Sequence, residues 1–174
     1  MDAKDYHSGA DSEQVIIVNR KNEPVGVVPR YKMRREGLIH RATYILILNR
    51  ERQILMQKRT QGKDYLPGYY DAAAGGVVLE GEEYEISAYR ELHEELGIRA
   101  VINNLFDFYF ETGNQKMWGR AYTCFHEGPF ILQPEEIESA TFYSTDDIFK
   151  GNIAPITPDT LYVLKRYIKS LSSS

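Results

Sequence analysis

The sequence predicts an α+β domain: a layered α/β/α sandwich on a mixed sheet, opened by an N-terminal β-hairpin. Three observations predict it. Short β-branched and aromatic runs recur between turn residues, one central segment has clear helical spacing, and a second helix closes the chain. The 174 residues suffice for one domain with a real core, and 43% apolar content excludes disorder.

Residues 1–12 are polar and read as a frayed tail, leaving residues 13–171 as a single domain. Residues 14–18 and 25–28 are β-rich runs on either side of an Asn/Pro turn, which predicts a hairpin. Residues 29–37 are basic and helix-compatible. Residues 42–48 form an apolar run expected to be a buried strand, with 53–57 pairing to it across the turn at 49–52. A loop punctuated by Gly62, Pro67 and Gly68 fills 60–70. A short strand is expected at 72–78, where Gly75 and Gly76 let backbone come close to a neighbour.

The clearest helix spans 83–96, with Ile86, Tyr89, Leu92 and Leu96 as its apolar stripe and Gly97 as its C′ residue. Further strands are expected at 100–104, 106–110, 118–125 and 138–143. The last helix covers 157–171, with Thr157 as N-cap and Pro158 at N1.

The formal net charge of −4 argues against a nucleic-acid-coating protein, which carries a basic stripe. The single cysteine, Cys124, excludes an intrachain disulfide. The polar opening lacks a signal-peptide core, and no apolar run approaches a bilayer span, so a cytoplasmic protein with no membrane partner is expected.

The chemistry concentrates in residues 76–98. Glu91, Glu94 and Glu95 stand at i, i+3 and i+4, so a helix places them on one side, roughly opposite the apolar stripe. Like charges at that spacing repel, and a hard divalent cation with oxygen preference, Mg²⁺, would gather them. Mn²⁺ suits the same oxygen-rich site.

Gly76, Glu82, Arg90, Glu91, Leu92, Glu94, Glu95, Gly97 and Ile98 match every fixed position of the Nudix signature, G-x5-E-x7-R-E-U-x-E-E-x-G-U, where U is apolar. The chain thus resembles the Nudix hydrolase superfamily. Outside this box, His40-Arg41-Ala42, Gln57-Lys58-Arg59 and the segment 66–71 resemble the isopentenyl-diphosphate isomerase branch, as does the hairpin. The isomerase's catalytic cysteine aligns with Gly75 and a metal-binding histidine with Val77, so both are absent here. The nearest match is therefore the bacterial Nudix hydrolases related to that isomerase.

The resemblance implies a Mg²⁺-dependent hydrolase that cleaves a diphosphate bond in a nucleoside-diphosphate-linked small molecule. It implies Glu91, Glu95 and the Gly75 carbonyl as metal ligands, with Glu94 beside them. Arg90 either touches substrate phosphate or holds Glu82 and orients Glu91. The general base is Glu136, in an acidic loop outside the box, or Glu94 within it. Arg59 and Lys63 are candidate diphosphate contacts, and Trp118, after the polar turn 111–116, is a candidate base-stacking residue. Two rival readings are an isomerase-like enzyme, weakened by the missing cysteine, and a catalytically silent nucleotide-binding module, weakened by the complete set of carboxylates. A homodimer through a swapped hairpin stays open.

Overall fold

A computed structural model describes residues 9–63, 65–72 and 74–173. Of the expected tail, residues 1–8 lie outside the described residues; Gly9–Ser12 form a 3₁₀ turn rather than frayed chain.

The N-terminal hairpin forms as expected, with β1 (Gln14–Val18) antiparallel to β2 (Pro24–Pro29). Helix α1 (Arg30–Glu36) follows and ends on Gly37 in the left-handed region. A Cβ at Gly37 would stand 2.1 Å from Asn114 Oδ1, so only glycine admits this contact. Asn114 also donates to the Arg34 carbonyl (2.9 Å), which ties a distant turn to the end of α1.

Strand β3 (His40–Leu48) is the centre of the sheet. It runs parallel to β7 (Gln115–Phe125) over its whole length, from His40↔Met117 to Leu48↔Phe125. Its two faces feed two cores. Tyr44, Leu46 and Leu48 pack with Val163 and Leu164 of α4 (Pro158–Leu171). Ile45 and Ile47 pack with Tyr84, Ala88, Leu92 and Leu96 of α2 (Tyr84–Leu96). Burial on both faces explains the unbroken apolar run. Each fully buried Ile or Leu contributes about 1.5–3 kcal/mol, which holds α2 and α4 against opposite faces of one rigid strand. The result is the expected α/β/α sandwich with a mixed sheet.

Three local expectations change, and one short helix is added. Strand β4 (Ile54–Arg59) touches β3 only at Leu48↔Ile54, then pairs along its length with β8 (Ile137–Tyr143) and briefly with β5 (Tyr70–Asp71). The expected strand at 72–78 reduces to isolated bridges, Ile45↔Ala74 and Ala42↔Val77, because Gly75 at φ +139° breaks the pleat. The expected strands at 100–104 and 106–110 are one strand, β6 (Ile102–Thr112), with a bulge between Asn104 and Phe106, paired to β7. A short helix, α3 (Thr145–Phe149), follows Ser144, whose side chain accepts from the Asp147 N–H.

The stripe on α2 is also corrected. Ile86 is 59% exposed and Tyr89 is also exposed, while Tyr84, Ser87, Ala88, Leu92 and Leu96 face the core. The i, i+3 apolar spacing picked a face rotated from the buried one. Glu91 and Glu95 consequently flank the buried face instead of standing opposite it. Gly97 does cap α2, at φ +65°, its N–H donating to the His93 carbonyl. Thr157 occupies the N-cap position of α4 with Pro158 at N1, yet its hydroxyl donates to Asp71 rather than capping the helix.

Candidate active site

A cavity of about 600 Å³ opens between α1, the β6–β7 turn, the start of α4 and the loop after β4. One wall is the Gly75–Gly76 segment with Glu95 of α2; Arg30, Arg34, Arg59 and Lys63 line the same cavity, with Asp71 and Asp159. Acidic and basic side chains thus share one space.

The acidic half is built by close backbone approach. The carbonyls of Ala74 and Gly76 are taken by β3, through the Ile45 and Thr43 N–H groups. The Gly75 N–H turns the other way and donates to Glu95 (3.2 Å). A Cβ at Gly75 would meet the Thr43 carbonyl oxygen at 2.0 Å, and one at Gly76 would meet Glu91 Oε1 at 2.4 Å. Gly75 therefore lets the segment close onto β3, and Gly76 lets the Glu91 carboxylate lie against backbone. Burial, reinforced by the Glu91 charge, pushes the Glu95 carboxyl well above its ordinary range. Burial also raises Glu91, against the pull of Arg90.

Arg90 is the organiser. It donates to Glu82 through Nε (2.6 Å) and Nη2 (3.0 Å), to Glu91 (2.9 Å), to Glu94 (3.1 Å) and to the Val77 carbonyl (3.3 Å). Burial opposes its charge, but Glu82 and Glu91 outweigh that and raise its pKa. Burial likewise opposes ionisation of Glu82, and the Arg90 and Leu79 hydrogen bonds overcome it, leaving the carboxyl below its ordinary value. With its fork filled by protein acceptors, Arg90 fits the orienting role more than direct phosphate contact.

The expected gathering of three carboxylates is only partly realised. Glu91 and Glu95 are inside, whereas Glu94 is 49% exposed and drawn onto Arg90. Among the described residues, no three acidic, histidine or cysteine side chains form a ready-made metal cage. The oxygen set still fits a hard divalent ion. Two buried carboxylates, each resisting ionisation, lie against the Gly75–Gly76 backbone, where the Gly75 carbonyl accepts no backbone hydrogen bond from β3. Mg²⁺ takes few protein ligands and keeps its waters.

On the basic side, Arg59 donates to Asp71 (2.8 Å) and to the Tyr65 carbonyl. Lys63 is ion-paired with Glu136, and burial, aided by Arg59, lowers its pKa to about 8. Glu136 thereby reaches the site through a residue the sequence had paired with substrate. Trp118 does not. It is not among the cavity-lining residues; its indole N–H donates to the Arg20 carbonyl (3.3 Å) and its ring packs on Tyr109. The cause is strand alternation: Met117 faces the cavity, so Trp118 faces away.

Several lining residues escape a reading of the sequence alone. Arg30 and Arg34 are one helical turn apart on α1, a spacing visible in the basic segment 29–37, and the buried Arg30 Nε–H has no partner among the described residues. At the far end, Tyr44 donates to Asp159 (2.9 Å), whose other oxygen is buried with no partner among the described residues. Burial, with Asp71 nearby, raises the Asp159 pKa. Nothing in the local sequence marks Asp159, Asp71 or Tyr44, which converge only through tertiary packing.

A layered α/β/α domain with a glycine-lined wall and a carboxylate-bearing helix defines a class, and comparison with known proteins agrees. The NUDIX domain model matches residues 38–167, so the chain belongs to the Nudix family and is a Nudix hydrolase. It is 42% identical to the "Uncharacterized Nudix hydrolase YfcD" of Escherichia coli K12 over 161 residues, 92% of this chain and 89% of that protein. It is 38% identical to the "Uncharacterized Nudix hydrolase PA4841" of Pseudomonas aeruginosa over 165 residues, 94% of this chain and 98% of that one. Among solved structures, DR0079 from Deinococcus radiodurans superposes with a TM-score of 0.75 at 21% identity, covering 88% of this chain and 98% of its own. The NUDIX domain of Shewanella oneidensis NrtR, solved with ADP ribose, superposes at 0.62 with 16% identity over 75% of this chain and 87% of its own. These two likenesses establish the fold. Nudix proteins generally use divalent metal ions. No helix among the described residues is long and apolar enough to cross a membrane.

Proposed function

We propose that the chain hydrolyses the diphosphate bond of a nucleoside-diphosphate-linked small molecule with Mg²⁺, or Mn²⁺ in its place, in the cytoplasm. The observation that carries this reading is one cavity lined both by the buried carboxyl of Glu95 and by the cations Arg30, Arg59 and Lys63. A diphosphate needs both: cations to hold its oxygens, and a divalent ion to offset charge that repels a nucleophile.

Glu91, Glu95 and the Gly75 carbonyl would hold the ion. When bound, it neutralises phosphate charge and lowers the pKa of water. Arg59, Lys63 and Arg30 receive the phosphate oxygens. Arg90 keeps Glu91 in place through its simultaneous grip on Glu82. Glu136 is favoured over Glu94 as general base, because Glu94 is committed to Arg90 at the surface while Glu136 sits beside Lys63 and a small recess containing Glu95. An arriving diphosphate competes for Lys63 and frees the Glu136 carboxylate to accept a proton. ADP ribose, the molecule bound by the NrtR domain, belongs to the substrate class proposed.

The test is phosphate release from a panel of nucleotide and isoprenoid diphosphates, with millimolar MgCl₂ or with EDTA, followed by alkaline phosphatase to expose new monophosphates. EDTA-sensitive turnover of one nucleoside-diphosphate class is expected. Catalytic conversion of isopentenyl diphosphate to dimethylallyl diphosphate, or binding without turnover across the panel, would overturn the proposal.

A further inference from the structure

Behind the main cavity lies a second, much smaller one of about 10 Å³, room for the centre of a single water. Seven residues line it, and four of them, Arg59, Lys63, Asp71 and Glu95, also line the large cavity. The recess is therefore an alcove of the active site. Glu136 lines the alcove and not the large cavity.

Gln57 is the unexplained member. It is 3% exposed, and its Nε2 is buried with no hydrogen-bond partner among the described residues. An unpaired buried amide costs about 1–3 kcal/mol, so it calls for a partner, and none of the described residues supplies one. It faces the alcove because β4 alternates: Leu55 packs against the α2 core, and Gln57, two residues on, lies on that same face of the strand.

We propose that Gln57 anchors the hydrolytic water in this alcove, a positioning role that rests on the hydrolase reading above. The donor count is balanced. The water accepts from the Gln57 N–H, donates one hydrogen to Glu136 and the other to Glu95, and keeps one lone pair for the phosphorus in the large cavity. In the reaction the water oxygen forms a bond to phosphorus. The bridging P–O bond breaks with its electron pair on the departing phosphate, and the water proton passes to Glu136. Gln57 removes rotational freedom from the nucleophile and exchanges no proton itself.

Two experiments test this. In a crystal structure of the wild-type protein, one ordered water is expected within about 3.2 Å of Gln57 Nε2; a dry alcove, or an amide turned to a protein partner, overturns the assignment even if no substrate is known. In the Mg²⁺ assay, Gln57→Leu and the similarly shaped Gln57→Met, both of which lack the donor, are expected to lower kcat about 100-fold with KM changed by less than about 3-fold, since the diphosphate contacts are intact. The melting temperature of Gln57→Leu should hold or rise, because an orphaned amide is replaced by an apolar group. Wild-type kcat in either folded variant, or a loss confined to KM, refutes the role. A fall in melting temperature of both variants, matched by lost activity, would make Gln57 structural and also refute it. Failure of the wild type to hydrolyse any diphosphate would instead remove the hydrolase reading, and the crystallographic water would still decide whether Gln57 anchors one.

Discussion

His40 gives a stability prediction that can be worked through. It is 6% exposed at the start of β3, its Nδ1 lies 3.3 Å from the Leu38 carbonyl, and it lines the large cavity beside Arg30 and Arg34. Burial lowers its pKa from 6.5 to about 4; the Leu38 carbonyl opposes the shift, and the two arginines add to it. The folded state thus binds the proton more weakly than the unfolded state. Stability from this residue is fully present above pH 6.5 and is lost as pH falls through that value toward 4. With those two constants, about 2 kcal/mol disappears between pH 7 and pH 5, and about 3 kcal/mol in all by pH 4. Urea unfolding reads this directly, since a chain of this size loses about 2 kcal/mol per molar urea and the midpoint should fall by about 1 M. Carboxylates titrate over the same range, so the measurement is the difference between wild type and His40→Gln, which cannot gain the proton. A midpoint difference that stays constant from pH 7 to pH 5 would show that buried neutral His40 is not part of the linkage.

Other outcomes follow from the site. Glu95→Gln should lower Mg²⁺-dependent turnover by orders of magnitude while leaving thermal stability equal or higher, since a carboxylate that resists ionisation becomes a neutral amide; near-normal rates would remove Glu95 from the reaction. Gly76→Ala places a methyl group 2.4 Å from Glu91 Oε1, so Mg²⁺ should raise the melting temperature of wild type more than that of the variant; equal shifts would separate Glu91 from the metal. Arg90→Met leaves Glu82 and Glu91 without their shared partner and should cost about 3 kcal/mol in chemical unfolding; a loss below about 1 kcal/mol would contradict the orienting role.

The residues proposed to carry the chemistry were legible because they are local. The i, i+3, i+4 spacing of Glu91, Glu94 and Glu95 is helical geometry, Gly97 answers the need for a left-handed cap, and the Gly75–Gly76 pair stands out by the absence of side chains. The apolar run of β3 announced a buried strand, and the two helices that cover it were found from spacing and from Pro158. Short-range rules decide such features, whatever the rest of the chain does.

Tertiary structure decided what local rules leave degenerate. The spacing of α2 allowed two apolar faces, and only packing against Ile45 and Ile47 chose the one that carries Glu91 and Glu95 inward. Trp118 and Met117 are neighbours in sequence, yet the register of β7 on β3 sends one to the cavity and the other away. The pairing of β4 with β8 rather than along β3 brings Gln57 to the segment that carries Glu136, far away in the chain. Asp159, Arg30 and Lys63 meet across one cavity only because α4, α1 and the loop after β4 close around it. The carboxylate helix is written in one stretch of sequence, because helical spacing is a property of the chain itself. The shape and charge of the space it faces depend on residues brought together by the sheet and the helices packed around it, and no local pattern records that.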